Sequence, residues 1–170
     1  MSRYGKIRVR EHFHKIIAVE GYKVAAEIGL GLGPNAVYLL ENTGLEVLHS
    51  IDNWDVRGCR KKREATLALF PKYGQRFHFI DHDSSTAADA FFEDESLDYV
   101  YIDGDHRYRG ITKDLKAWWP KVRKGGFFGG HDYVICRKCQ VLTAVDEFFA
   151  SIGRGFNTTT EALPSWWCLK

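Results

Sequence analysis

The sequence has 170 residues, of which 45% are apolar and 27% charged, and its formal net charge is +2. This balance belongs to a folded globular chain and excludes a disordered or fibrous one. The near-neutral charge gives no general case for a nucleic-acid partner, and no stretch approaches the roughly 20 apolar residues of a membrane span.

One domain over 1–170 with a single core is expected, with residues 1–22 as a short N-terminal helical segment. Within it a helix is expected over 12–21, where Phe13, Ile16, Ile17 and Glu20 share a face. A short apolar strand follows over 23–28, then a glycine-rich turn over 29–34 and a helix over 35–42 closed by Gly44. The second strand is expected over 46–51. A basic helix over 56–70 carries Arg57, Arg60, Lys61, Lys62 and Arg63, read first as a solvated face and alternatively as a docking patch for an anionic substrate. Pro71 and Gly74 punctuate before a third strand at 76–80. A helix at 84–92, a strand at 97–102 and a helix at 108–119 stopped by Pro120 come next. They lead to a short, glycine-rich fifth strand at 125–130, a helix at 141–150, and two strand-like runs at 156–160 and 166–169.

Strand and helix alternate five times, which predicts an α/β fold with a mainly parallel, doubly wound sheet. The connection between the last two runs is too short for a parallel crossover, so they form an antiparallel hairpin.

The turn Glu27-Ile-Gly29-Leu30-Gly31-Leu-Gly33 lies directly between a strand and a helix. Glycine there permits positive φ and close approach of a ligand to the backbone. The site of an open α/β sheet lies at this end of its strands. The spacing is G-x-G-x-G, not the G-x-G-x-x-G of a dinucleotide site. A carboxylate at Glu27 suits a cationic group such as an amino-acid ammonium better than a pyrophosphate.

This stretch resembles motif I of the class I S-adenosylmethionine-dependent methyltransferases. The resemblance implies a seven-stranded Rossmann-like sheet of order 3-2-1-4-5-7-6, which the terminal hairpin matches. It also implies an acid for the ribose hydroxyls at Asp52 and adenine contacts at Asp83 and Ser84. The cofactor contacts it assigns are Glu27, Gly29, Leu30, Gly31, Gly33, Asp52, Asn53, Asp83, Ser84 and Asp103.

The fourth strand ends in Ile-Asp103-Gly-Asp105-His106, and the fifth in Gly-Gly-His131-Asp132-Tyr133. Their side chains are expected to converge, so that Asp103, His131 and Asp132 can form an N/O metal site or a polar network without metal. Carboxylates suit Mg2+, and an added imidazole tilts the set toward Mn2+, Fe2+ or Zn2+. The two stretches together resemble macrocin-type and cephalosporin-type O-methyltransferases and, more distantly, catechol and caffeoyl-CoA O-methyltransferases. That resemblance places metal ligands at Asp103, His131 and Asp132, although an acid is common where His131 stands. It places His106 where a lysine base stands in the catechol type, and a histidine can accept a proton from an acidified hydroxyl. Asp103 and His106 are therefore the expected catalytic residues.

Cys136 and Cys139 form a lone C-x-x-C, too few ligands for a structural zinc site. They are read as a surface loop, with a redox pair as the alternative. The chain has no G-x-S-x-G elbow. It also lacks the Asn/Asp-Pro-Pro-aromatic stretch of base amino-methyltransferases after strand four.

The expected function is methyl transfer from S-adenosylmethionine, assisted by Mg2+ or another divalent metal, to the oxygen of a small hydroxylated acceptor: a sugar, nucleoside or phenol. The alternatives are a nicotinamide-dependent oxidoreductase and a non-catalytic adenosyl-binding module. Only about 22 residues precede the first strand, so an open pocket is expected, or one completed by a partner copy in a homodimer. The polar N-terminus lacks the apolar run of a secretion signal, and the cysteines suggest no disulfide framework. A cytoplasmic location is the expectation.

Overall fold

The computed structural model describes residues 3–54, 62–136 and 139–170. Seven strands form one sheet of order β3-β2-β1-β4-β5-β7-β6. The strands are β1 (Val24–Ile28), β2 (Val47–Ile51), β3 (Phe77–Ile80), β4 (Leu97–Ile102), β5 (Val122–Gly130), β6 (Asn157–Thr158) and β7 (Trp166–Leu169). The first five pair in parallel, and β7 is antiparallel to both β5 and β6. This is the doubly wound sheet with a terminal hairpin that the alternation of elements predicts.

Helices α1 (Phe13–Glu20), α2 (Pro34–Asn42) and α3 (Arg63–Leu67) lie on one face. Helices α4 (Ser84–Phe91), α5 (Tyr108–Trp118) and α6 (Val141–Ser151) lie on the other. Phe13, Ile16 and Ile17 of α1 pack with Leu39 and Leu40 of α2 over Tyr99, Tyr101 and Phe127. Ile111, Leu115 and Trp118, spaced along one stripe of α5, pack over Val100, Ile102 and Phe128. Side chains of β4 thus alternate between two cores. That is why its sequence is an almost unbroken apolar run.

Three boundaries differ from expectation. Helix α2 starts at Pro34, whose missing N–H is no loss in a first turn, and Thr43 in extended conformation ends it before Gly44. The basic helix is seen only as Arg63–Leu67, leading to a 3-10 segment over Pro71–Arg76; Arg57, Arg60 and Lys61 lie outside the described residues. β5 begins three residues early because its pairing with β4 is irregular between Leu97 and Tyr99. A Cβ at Gly126 there would stand 2.9 Å from the Asp98 carbonyl oxygen.

The N-terminal segment is pinned at the carboxyl edge of the sheet. Thr160 N–H donates to the Arg8 carbonyl at 2.9 Å, and Arg10 N–H donates to Glu161 Oε1 at 3.0 Å. The residues before β1 are thus tied to the connection between β6 and β7. Among the described residues no helix is long and apolar enough to cross a membrane.

Candidate active site

The glycine turn is built against two neighbouring strands. Gly29 has φ +91°, and a Cβ there would lie 2.3 Å from the Asp103 carbonyl oxygen. Only glycine lets the ends of β1 and β4 meet this closely. Gly29 N–H donates to the Ile51 carbonyl at 2.8 Å, and Asp103 N–H to the Ile28 carbonyl at 2.7 Å. Gly31 has φ +54° with open space where a Cβ would stand, so the turn presents bare backbone outward.

Asp52 and Trp54 hold that turn. Asp52 Oδ2 accepts from Gly31 N–H at 2.9 Å, and its Oδ1 accepts from Trp54 N–H at 2.7 Å. Buried Trp54 donates from Nε1 to the Gly31 carbonyl at 3.1 Å. Trp54 was absent from the sequence-based site; its signal was an indole two residues past the acid that ends β2. Leu30 is buried in the core, which leaves only its backbone to meet a ligand, whereas Asn53 is exposed beside Asp52.

Glu27 is 2% exposed. It accepts from Asn35 Nδ2 at 2.9 Å and from Ser50 Oγ at 3.1 Å. Burial pushes its carboxyl up to about 8, against the pull of those two donors. A ligand ammonium would relieve this by favouring the charged form.

Asp83 caps α4, accepting from Thr86 N–H at 3.2 Å and Ser85 Oγ at 2.7 Å. The Ser85 hydroxyl is the main reason its carboxyl titrates below the usual range. Ser84 points inward and donates to Asp114 Oδ1 at 2.5 Å. Asp114 is buried on α5, and burial raises it to about 7. A cleft of about 380 Å³ lies here, lined by Asp83, Ser84, Asp105, Arg107, Lys113 and Asp114 among others. Sequence reasoning missed Asp114; the available sign was an acid inside the apolar stripe of α5.

Asp103, His131 and Asp132 do converge: one ligand atom from each lies within 4.8 Å of the others. His131 Nδ1 stands 3.2 Å from Asp132 Oδ1 and 4.0 Å from Asp103 Oδ1. His106 bridges the two acids, with Nε2 3.2 Å from Asp103 Oδ1 and Nδ1 3.2 Å from Asp132 Oδ2. Its hydrogen bond to Asp103, with the charges of both acids, raises its pKa. Asp105 turns away into a two-pronged pair with Arg107, at 2.9 and 2.7 Å.

Asp132 bears two marks of a built site. Its φ is +52°, unusual for a residue with a side chain. Its Oδ1 is buried and, although His131 Nδ1 stands 3.2 Å away, it makes no hydrogen bond of good geometry among the described residues, an arrangement that suits a cation. The loop beyond supports it: Cys139 Sγ lies 3.6 Å from the Asp132 and Val134 carbonyls, and Gln140 N–H donates to the His106 carbonyl at 2.9 Å. Cys136 and Cys139 face each other across a short antiparallel bridge, and residues 137–138 between them lie outside the described residues.

A sheet of this order, with the glycine turn and the acidic cluster meeting at its carboxyl edge, is a Rossmann-like α/β fold of the methyltransferase type. A family model described as a methyltransferase domain matches residues 26–133, more than half of the chain. The chain belongs to that family, within the class I S-adenosylmethionine-dependent methyltransferases. An uncharacterized protein of Acanthamoeba polyphaga mimivirus is 28% identical over 133 residues, covering 76% of this chain; the chain spans 60% of that relative's length. Among solved structures, the O-methyltransferase NovP superposes with a TM-score of 0.70 at 16% identity, covering 94% of this chain and 77% of its own. Spermidine synthase from Thermotoga maritima superposes with a TM-score of 0.64 at 13% identity, covering 95% of this chain and 60% of its own. These likenesses establish the fold. Family membership sets aside the nicotinamide-dependent oxidoreductase.

Proposed function

We propose that this protein is an S-adenosylmethionine-dependent O-methyltransferase acting with a divalent metal on a small hydroxylated acceptor, and that 1–170 works as one domain. The observation that carries the reading is the junction of Gly29 with Asp103. It sets the open face of the glycine turn directly beside the Asp103, His131 and Asp132 cluster. A cofactor lying along the turn would have its reactive end next to those ligands.

The cofactor supplies a methyl group already activated on a sulfonium. A divalent ion held by Asp103, His131 and Asp132 would acidify an acceptor hydroxyl. The protein's own residues do the rest. Gly29, Gly31 and Gly33 shape the backbone for close approach, Asp52 offers carboxylate oxygens to the ribose, and Glu27 faces the cationic end. His106 takes the hydroxyl proton on the ring nitrogen that Asp103 or Asp132 would release on turning to the ion.

The test is calorimetric titration with S-adenosylhomocysteine, then a radiolabelled-methyl screen on sugars, nucleosides and phenols with and without Mg2+ or Mn2+. Metal-dependent transfer lost in Asp103→Ala supports the reading. A rate untouched by Asp103→Ala and by metal removes the metal from it. Tight cofactor binding without turnover on the whole panel favours the adenosyl-binding module.

A further inference from the structure

The N-terminal segment delivers a permanent cation to the cofactor side of the site. Its attachment through Arg8 and Arg10 to the connection between β6 and β7 carries the Arg10 side chain over the carboxyl ends of β1 and β4. There its NH1 stands 3.7 Å from Asp103 Oδ2, and the guanidinium lies near enough to the Tyr101 phenol for the two groups to act on each other electrostatically. Tyr101 is the register partner of Glu27 on the adjacent parallel strand, and Ser50 is the partner on the other side. Partners in register project from the same face of a sheet. Arg10 therefore lies over the row that holds Glu27, and its charge opposes the rise in the Glu27 pKa.

The charge pattern needs such a cation. Asp103 and Asp132, joined by Glu27 once a cation draws off its proton, make this corner acidic, which welcomes an ammonium and a sulfonium but repels a carboxylate. The methionine end of the cofactor carries all three groups. Among the described residues, the ion-pair partners of Asp103 and Asp132 are Arg10, His106 and His131. The two histidines are engaged with the acidic cluster itself. Arg10 is only loosely paired, at 3.6 Å to Glu11 and 3.7 Å to Asp103, beyond hydrogen-bond distance. Its side chain is 25% exposed, so the planar fork can still accept a carboxylate on two prongs.

Resting on the cofactor reading above, we infer that Arg10 receives the α-carboxylate of the methionine end of S-adenosylmethionine while Glu27 receives its ammonium. The N-terminal segment is then a wall of the cofactor site, and Arg10 selects an adenosyl ligand that keeps its carboxylate.

Calorimetry with three ligands tests this: S-adenosylhomocysteine, its decarboxylated analogue, and methylthioadenosine, which lacks the whole amino-acid end. The wild type should bind S-adenosylhomocysteine about 10- to 100-fold tighter than the decarboxylated analogue, as expected for a charge-assisted pair. Arg10→Met should bind those two alike while binding methylthioadenosine as the wild type does, which shows that fold and adenosine site persist. If Arg10→Met loses methylthioadenosine as well, Arg10→Gln decides: a reduced preference supports the inference and a full one overturns it. A wild-type preference that survives in Arg10→Met overturns it, as does a wild type with no preference. Should Arg10→Met instead lose only the methylation of acidic acceptors, the guanidinium serves the acceptor and the inference fails. A wild type that binds none of the three ligands overturns the cofactor reading itself.

Discussion

The two halves of the site are held in opposite ways. On the β1–β2 side the polar groups of Gly31 are satisfied from within: its N–H by Asp52, its carbonyl by Trp54. On the β4–β5 side Asp103 and Asp132 face each other across two histidines, and one buried oxygen of Asp132 makes no well-formed hydrogen bond among the described residues. The first half is finished before a ligand arrives. The second holds like charges together and gains from any cation that enters. Preorganised backbone suits a cofactor that must be seated the same way each turnover, and crowded acids suit an ion.

The largest effect should come from the seam between the halves. Gly29→Ala sets a Cβ into the Asp103 carbonyl at a φ that disfavours side chains. Scanning calorimetry should show a loss of about 3 kcal/mol or more, with S-adenosylhomocysteine binding lost as well. Gly31→Ala has the strained φ but open space, so its stability loss should be only about 1 kcal/mol. Equal losses at the two positions would mean that the close approach of β1 and β4 is not what demands glycine.

Asp132→Asn tests the other half, with two readouts of opposite sign. Mn2+ binding, followed by the paramagnetic signal of free ion, should weaken on the order of 100-fold. Without metal the variant should melt higher than wild type, because one charge leaves a crowded, half-buried pair. A variant that melts lower would show that the acids are not in tension.

Glu27→Gln should remove a pH dependence. Buried Glu27 titrates near 8 when folded, against 4.5 as its ordinary value, with Asn35, Ser50, Arg10 and Asp103 as the groups acting on it. Between those values the folded state holds a proton that the unfolded chain has released. Stability from this group is therefore complete below pH 4.5 and lost as pH rises through about 8. At pH 8 the variant should melt about 5 °C above wild type, and at pH 4 the two should agree. Asp114, raised to about 7, has the same sign, so the difference between the two curves is the quantity to read. A difference that does not grow with pH would place the Glu27 proton elsewhere.

A moderate effect is expected at Trp54→Phe, which removes the hydrogen bond to Gly31 and part of a buried ring packed on Phe79, and should lower stability by about 2 kcal/mol. A much larger loss would mean that the turn depends on this indole and less on Asp52.

Much of this site was legible in the chain. Glycines at 29, 31 and 33 and acids at 27, 52 and 103 stand where a strand stops, and strand ends at one edge of a parallel sheet must meet. Trp54, Asp114 and Arg10 were not legible, for one reason in three forms. Trp54 turns back on a positive φ to reach Gly31, Asp114 hides in an otherwise ordinary amphipathic helix, and Arg10 arrives from a segment remote in sequence from Asp103. Local pattern carries no information about such partners.

Sequence alone determined the class of fold, the order of its elements and the residue types at the strand ends, because periodicity and glycine placement are local constraints on the backbone. Only the tertiary structure decided which of those side chains are buried, which acids gather where a cation could enter, and which arginine stands near Glu27. Those are properties of neighbours and solvent, set by strands that pair across the sheet and by an N-terminal segment stapled to its far hairpin.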